Sequence, residues 1–166
     1  MNREQMKRSH YLAGKVVRYH THPTLNTQTV ADHSWRVAVL IVELFGIPRA
    51  EVLVYALYHD CGEMSSGDLP FMAKDAVPGL ADAMKRAEAY GLELLEVCLP
   101  ELSSLEKVQV KIADLLEMYE FGTLEVAMGN QYGDMVRDDT LAEARRLASK
   151  HNLTEAVDAW INRSKN

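Results

Sequence analysis

The chain has 166 residues, of which 48% are apolar and 25% charged, and its formal net charge is -6 at pH 7. This length fits one domain with its own core, and the composition is that of a soluble globular protein rather than a disordered one. The acidic charge argues against a nucleic-acid polymer as partner, because such a partner needs a broad basic face. A small anionic substrate remains compatible with it if cations are concentrated at one pocket.

Neither a membrane span nor a secretory leader is expected. The most apolar stretch, residues 38–42, is bounded by charged residues and falls far short of the roughly 20 residues that a span needs. Residues 2–8 are polar and basic and do not lead into an apolar block. The two cysteines, Cys61 and Cys98, have no regular spacing and indicate reduced thiols. We therefore expect a cytoplasmic protein.

Apolar periodicity, with glycine and proline between the periodic segments, predicts an all-α fold in a single domain over residues 1–166. Alternating β-branched runs are absent, so no sheet is expected. Thr29 is the predicted N-cap of the second helix, and Gly46 follows that helix at a position that favours a left-handed residue. The predicted helices cover residues 5–18, 30–45, 48 to about 58–61, 79–99, 103–121, 138–150 and 154–161.

Residues 62–70 contain two glycines, two serines and a proline, and this composition predicts a loop. The loop follows His59 and Asp60 directly. Loops that leave rigid helices often carry binding and catalytic residues, so this segment is a candidate for chemistry.

Four residues have the chemistry of metal ligands. His33, His59 and Asp114 each share a predicted helix face with apolar residues and should point inward. A buried carboxylate is costly unless it is paired or coordinates a metal, and adjacent His59 and Asp60 at a helix end can turn toward one point. Taken singly, each has an ordinary explanation, namely a hydrogen-bonded core histidine, an ion-paired aspartate or an incidental acid. Together the four predict a divalent metal site.

The order His33, His59-Asp60, Asp114 resembles the HD-domain metal-dependent phosphohydrolases. Three short sequence motifs make the resemblance more specific, together with Arg18 and Lys74. The motifs are Ala31-Asp32-His33-Ser34, Tyr58-His59-Asp60-Cys61-Gly62-Glu63 and Gly67-Asp68-Leu69-Pro70. With these motifs the chain is similar to the bacterial 5'-deoxynucleotidases and to the small phage enzymes that hydrolyse deoxynucleotides. The resemblance covers about residues 18–130, and it implies a compact helical bundle of the HD type.

The resemblance implies a ligand set and two catalytic carboxylates. A divalent ion would polarise a phosphoryl oxygen and lower the pKa of bound water, and its identity is open among manganese, cobalt, zinc, iron and magnesium. Glu63 and Asp68 would serve as general base and general acid, or Asp68 would position the water; which residue is base and which is acid stays open. The implied metal ligands are His33, His59, Asp60 and Asp114.

The resemblance also implies how substrate is bound. Arg18 and Lys74 would hold the phosphate, Arg18 as a planar fork and Lys74 as a point charge. Tyr19 stands where the bacterial monophosphatases typically carry tryptophan, and its ring would stack on the sugar and leave no room for a 2'-hydroxyl. Thr21 and Met72 lie where side chains could flank the base.

The function so predicted is metal-dependent cleavage between the 5' oxygen and the α-phosphorus of a 2'-deoxynucleotide. A monophosphate substrate would give deoxynucleoside and phosphate. A deoxynucleoside triphosphohydrolase of the phage type, which would convert dATP to deoxyadenosine and tripolyphosphate, is the runner-up. A non-catalytic nucleotide-binding module and a plain helical interaction protein also stay open. The expected partners are a small-molecule deoxynucleotide and, by resemblance, further copies of the chain in a homo-oligomer.

Overall fold

The computed structural model describes residues 9–69 and 77–164. All regular elements in these residues are helical apart from one isolated antiparallel bridge between Val17 and Thr29, so the all-α prediction is confirmed. No helix in these residues is both long enough and apolar enough to cross a membrane. The helices are α1 (His10–Ala13), α2 (Val30–Phe45), α3 (Ala50–Tyr58), α4 (Leu80–Leu94), α5 (Ser104–Ala127), α6 (Gly133–Lys150) and α7 (Thr154–Ser164), with a 3₁₀ turn at Cys61–Ser65.

The chain divides into two compact units. The first lies within Met1–Ser34 and Leu57–Leu99, and the second within Trp35–Ala56 and Pro100–Asn166. The single domain over residues 1–166 stays a prediction.

The second unit has the larger apolar core. Its central helix, α5, contributes Ile112 and Leu116, which are both fully buried. Trp160 of α7 is also buried, and its ring nitrogen donates a hydrogen bond to the Glu43 carboxylate at 3.1 Å, which satisfies the polar end of the indole. The other buried members of this core are Val37, Leu40, Ile41, Leu44, Val52, Ala56, Leu102, Val110, Ala113, Leu115, Ala144, Ala148, Val157 and Ile161.

The start of α5 is fixed by a capping box. The Ser103 hydroxyl accepts from the Glu106 amide at 3.3 Å, and the Glu106 carboxylate accepts from the Ser103 amide at 2.8 Å. Arg49 adds two charged hydrogen bonds to the same carboxylate, at 2.6 and 3.0 Å. The Glu106 carboxylate therefore joins the start of α5 to Arg49, the residue just before α3.

The first unit is built around the 3₁₀ turn. Cys61 of that turn packs with Ala13 of α1 and with Leu95, which follows α4, in a small buried cluster. Half-buried side chains surround the cluster, and they are Tyr58, Met64, Leu92 and Val97. The turn is thus held between α1 and α4, and it replaces the first part, residues 62–65, of the loop predicted over residues 62–70.

Several predicted helix ends were wrong, and hydrogen bonds explain two of them. Helix α4 stops at Leu94 rather than at residue 99, because the Val97 amide bonds to the Leu92 carbonyl and Glu96 takes a left-handed φ of 58°. This is a Schellman motif with glutamate where glycine is usual, so the sequence carries no obvious stop signal. Helix α5 continues to Ala127 instead of residue 121, and the same motif closes it at Gly129, whose φ is 93°.

Further helix boundaries also differ from the prediction. The described part of α1 covers only His10–Ala13 of the predicted 5–18, and α6 begins at Gly133 rather than at residue 138. Helix α3 begins two residues after Pro48. Helix α2 agrees with its prediction, with Gly46 after it at a φ of 79°.

The core of the second unit predicts a mutational contrast along α5. Leu116→Ala removes a fully buried side chain and should lower the free energy of unfolding by about 2–5 kcal/mol. Leu124→Ala, at a 52% exposed position of the same helix, should change it by about 0.5 kcal/mol or less. Urea denaturation followed by circular dichroism measures both, and equal losses would contradict this placement of the core.

The Arg49 contact predicts a pH dependence. Hydrogen bonds from Arg49, and then from Ser103, lower the pKa of Glu106 from 4.5 to about 2. Because the pKa is lower in the folded state, the stability that this carboxylate contributes is fully present above about pH 4.5 and is lost as the pH falls toward 2. Titration of Glu106 by NMR should show the low midpoint, and in Arg49→Gln the midpoint should move back up. A wild-type midpoint near 4.5 would contradict the contact.

Candidate metal centre and active site

The first unit brings three of the four predicted ligands together. His33 Nε2 lies 3.5 Å from Asp60 Oδ2, and His59 Nε2 lies 3.4 Å from Asp60 Oδ1. The two imidazole rings have their centroids 5.5 Å apart. The three residues offer ligand atoms that all lie within 4.8 Å of one another. They form a compact cluster of two nitrogens and one carboxylate.

The chemistry and spacing of this cluster fit a divalent metal. Two atoms bound to one ion at about 2.1 Å lie roughly 3.0–3.4 Å apart, close to the separations between Asp60 and each histidine. Two imidazoles with a carboxylate suit manganese, iron, cobalt or zinc, whereas magnesium prefers an all-oxygen shell. His33 is fully buried and the Asp60 side chain is 21% exposed. Solvent or substrate would therefore reach a bound ion from the side of the Asp60 carboxylate.

Short-range backbone contacts explain the position of His33. Thr29 caps α2, since its hydroxyl accepts from the Asp32 amide and the Asp32 carboxylate accepts from the Thr29 amide. The His33 amide then donates to the Thr29 carbonyl at 3.0 Å. The imidazole is therefore fixed in the first turn of a capped helix. Sequence reasoning missed Asp32, although the Thr-x-x-Asp spacing was the signal for it.

The isolated antiparallel bridge between Val17 and Thr29 places Arg18 beside the cluster of His33, His59 and Asp60. The Arg18 amide donates to the Gln28 carbonyl at 2.9 Å, and the Val30 amide donates to the Val16 carbonyl at 2.9 Å. The Arg18 guanidinium is buried and donates from Nη1 to Asp60 Oδ2 at 2.7 Å. The predicted phosphate ligand is thus an immediate neighbour of the metal cluster.

Asp114, the fourth predicted ligand, belongs to the second unit. It lies on α5, and its carboxylate accepts a hydrogen bond at 2.6 Å from Lys111, one turn earlier on the same helix. Its ligand role stays a prediction.

The two predicted catalytic carboxylates have different surroundings. Glu63 is buried in the 3₁₀ turn, and its amide donates to the Asp60 carbonyl at 3.0 Å, so its position is tied to that of Asp60. Asp68 lies just beyond the turn, and its Oδ2 accepts from the Tyr19 amide at 2.8 Å. Tyr19 is buried and has a left-handed φ of 55°, a conformation that a bulky residue seldom adopts. Asp68 therefore braces the strained segment after Arg18.

Cys61 has the properties of a core residue. Burial, followed by the negative charges of Asp60 and Glu63, raises the pKa of its thiol to about 11. The thiol is protonated at neutral pH, and it faces the Leu57 carbonyl at 3.7 Å. A thiolate nucleophile is not what this environment favours.

The remaining predicted contacts concern the substrate. Thr21 is exposed, and its hydroxyl lies 3.2 Å from the His22 ring. Met72 and Lys74 lie outside the described residues. The contacts that these three residues make with substrate stay predictions.

Comparison with known proteins gives consistent relatives. A family model described as "5'-deoxynucleotidase YfbR-like" matches residues 13–158. The chain is 30% identical to a 5'-deoxynucleotidase of Pasteurella multocida, covering 76% of this chain and 79% of that protein. It is 29% identical to the 5'-deoxynucleotidase YfbR of Escherichia coli, covering 75% and 77%.

A solved structure of a conserved hypothetical protein from Pyrococcus furiosus shares the fold. It superimposes with a TM-score of 0.64 and 24% identity, over 93% of this chain and 98% of that one. At this identity the likeness supports the fold alone, and it agrees with the helical architecture described above.

The cluster of His33, His59 and Asp60 leads to a prediction about the affinity for Co²⁺. Asp60→Asn keeps the size of the side chain but removes the charge that faces both histidines, so Co²⁺ affinity should fall by at least about tenfold, as for loss of an oriented carboxylate. Asp82→Asn, at an exposed position in the first turn of α4, is the matched control and should bind Co²⁺ as the wild type does. Isothermal titration calorimetry measures both, and equal affinities would rule out Asp60 as a ligand.

Proposed function

Because the chain belongs to the YfbR-like family of 5'-deoxynucleotidases, we propose that it hydrolyses 2'-deoxynucleoside 5'-monophosphates to deoxynucleoside and phosphate. As a member of this family, the protein is a hydrolase of the HD phosphohydrolase type. The observation that carries the proposal is the contact of Arg18 with Asp60, inside the cluster of His33, His59 and Asp60. The Arg18 guanidinium and a metal held by these three residues would then bind the same phosphate group of the substrate.

The proposed reaction is a displacement at phosphorus. The oxygen of a water molecule forms a bond to phosphorus, and the bond from phosphorus to the 5' oxygen breaks. The attacking water loses a proton, and the leaving 5' oxygen gains one. When bound at His33, His59 and Asp60, with Asp114 as the predicted fourth ligand, a divalent metal would polarise the phosphoryl oxygen and acidify water.

Arg18 is the proposed phosphate-binding residue. Its planar guanidinium can form paired hydrogen bonds with two phosphate oxygens, and burial strengthens such charged hydrogen bonds. The contact with Asp60 holds the side chain in one orientation before substrate arrives. Lys74 is proposed as a second phosphate contact on sequence grounds.

We assign the role of general base to Glu63 and a positioning role to Asp68. Glu63 is buried one 3₁₀ turn after Asp60, a suitable place for a carboxylate that accepts a proton from water. Asp68 accepts from the Tyr19 amide, so it would hold the ring of Tyr19 against the sugar. A ring held in this way would exclude a 2'-hydroxyl, which accounts for a preference for deoxyribose. Transfer of a proton from Asp68 to the 5' oxygen is the further role proposed for it.

The proposed partners follow from the same chemistry. Manganese, iron, cobalt and zinc are the proposed metals, because the ligand set includes two imidazole nitrogens. The base would be flanked by Thr21 and Met72. A homo-oligomer and a cytoplasmic location are retained as proposals, the latter on the two free cysteines.

The test is product release from the four deoxynucleoside monophosphates and the four triphosphates with Mg²⁺, Mn²⁺, Co²⁺ and Zn²⁺. We expect orthophosphate from the monophosphates, at least about 10³-fold less in Asp60→Ala, and undiminished release in Asp82→Asn. Tripolyphosphate from a triphosphate would favour a triphosphohydrolase instead. No hydrolysis of either set with any metal would leave a nucleotide-binding module as the better explanation.

A further inference from the structure

Two glycines bring the backbone of α4 directly against the 3₁₀ turn. Gly62 lies in the turn between Asp60 and Glu63, and Gly91 lies inside α4, and both are buried. A Cβ atom added at Gly91 would lie 2.2 Å from the Gly62 carbonyl oxygen. A Cβ added at Gly62 would lie 2.3 Å from the Glu88 carbonyl oxygen. No side chain separates the two segments at this contact.

The contact leaves little room for adjustment, because the three nearest atoms that a Cβ added at either glycine would meet all belong to the backbone. On the Gly91 side these atoms are the carbonyl oxygen, carbonyl carbon and Cα of Gly62, the last two at 2.9 Å. A rotamer change cannot relieve such an overlap, so the segments themselves would have to separate. Glycine inside a helix lowers stability by about 0.5–1 kcal/mol relative to alanine. The close contact with Gly62 explains why glycine stands at position 91 despite this cost.

The residues held by the contact are those of the proposed chemistry. Asp60 precedes Gly62 by two residues, and Glu63 follows it directly. The Glu63 amide donates to the Asp60 carbonyl, and the Gly67 amide donates to the Glu63 carbonyl, so backbone hydrogen bonds connect the residues on both sides of Gly62. A shift of Gly62 would therefore be passed to the metal ligand and to the general base together.

We infer that Gly91 is a positioning residue for hydrolysis, because it lets α4 set the place of the turn that carries Asp60 and Glu63. This rests on the proposed function for its catalytic consequence, whereas its consequence for metal binding requires only the ligand cluster. Glycine at position 91 acts through the turn and contacts neither substrate nor metal.

The chain offers a matched control in the second unit. A Cβ added at Gly133, at the start of α6, would lie 2.7 Å from the Gly122 carbonyl oxygen and 2.8 Å from Glu125 Cβ, so it too would overlap backbone, although less severely than at Gly91. Gly133→Ala should therefore also destabilise the protein. Its overlap with α5 lies at Gly122, about two turns from Asp114 on that helix, so it should leave the 3₁₀ turn and the four proposed ligands in place.

The experiment compares Gly91→Ala, Gly133→Ala and the wild type by Co²⁺ titration, with calorimetry and visible absorption. In Gly91→Ala the Kd for Co²⁺ should rise at least about tenfold and the Co²⁺ absorption bands should change. Its kcat on a deoxynucleoside monophosphate should fall about 10²-fold with KM changed less than about threefold. Gly133→Ala should keep the wild-type Kd, spectrum and kcat. Equal Co²⁺ affinity and spectra in the two variants would overturn the inference.

A wild-type measurement covers the case in which Gly91→Ala does not fold. Co²⁺ should slow hydrogen exchange at the Leu95 amide, which bonds to the Gly91 carbonyl, as well as at the Glu63 amide. Unchanged exchange at Leu95 would overturn the inference. A wild type that binds Co²⁺ but hydrolyses no monophosphate would refute the proposed function, and the Co²⁺ affinities would still decide the role of Gly91.

Discussion

The site depends on one carboxylate. Asp60 faces the Arg18 guanidinium at 2.7 Å and the rings of His33 and His59 at 3.5 and 3.4 Å. A partly buried charge is costly unless charged or hydrogen-bonding groups surround it, and here the surrounding groups are two imidazole nitrogens, which are candidate metal ligands, and the Arg18 guanidinium, which is the proposed phosphate-binding group. The groups that stabilise Asp60 are therefore the same ones that the proposed metal and phosphate would contact.

Backbone contacts hold the partners of Asp60 in place. The pairing of Arg18 with Gln28 and the cap at Thr29 position the cation and the first imidazole. The 3₁₀ turn that follows Asp60 meets α4 at Gly62 and Gly91 without intervening side chains. Backbone contacts leave less room for adjustment than side-chain packing, so they suit a site that must hold its ligands to within a fraction of an ångström.

Much of the fold could be predicted from local signals, and the errors of that prediction have identifiable physical causes. Helix α2 was predicted correctly because a capping threonine, an apolar stripe and a following glycine all agreed. The end of α4 was missed because Glu96, rather than glycine, takes the left-handed position that closes the helix. Residues 62–65 were predicted as the start of a loop over residues 62–70 from their glycine and serine content, whereas in the structure they belong to a 3₁₀ turn that packs against α1 and α4.

The sequence by itself determined the helical class and the type and order of the candidate metal-binding residues, because these follow from periodicity and from the chemistry of His33, His59 and Asp60. Only the tertiary structure decided which groups meet. The bonds from Arg18 to Asp60 and from Tyr19 to Asp68 join residues 42 and 49 positions apart, and the approach of Gly91 to Gly62 likewise joins separate segments. Local patterns report how a segment folds and which face it buries, whereas contacts between segments depend on how the whole unit packs.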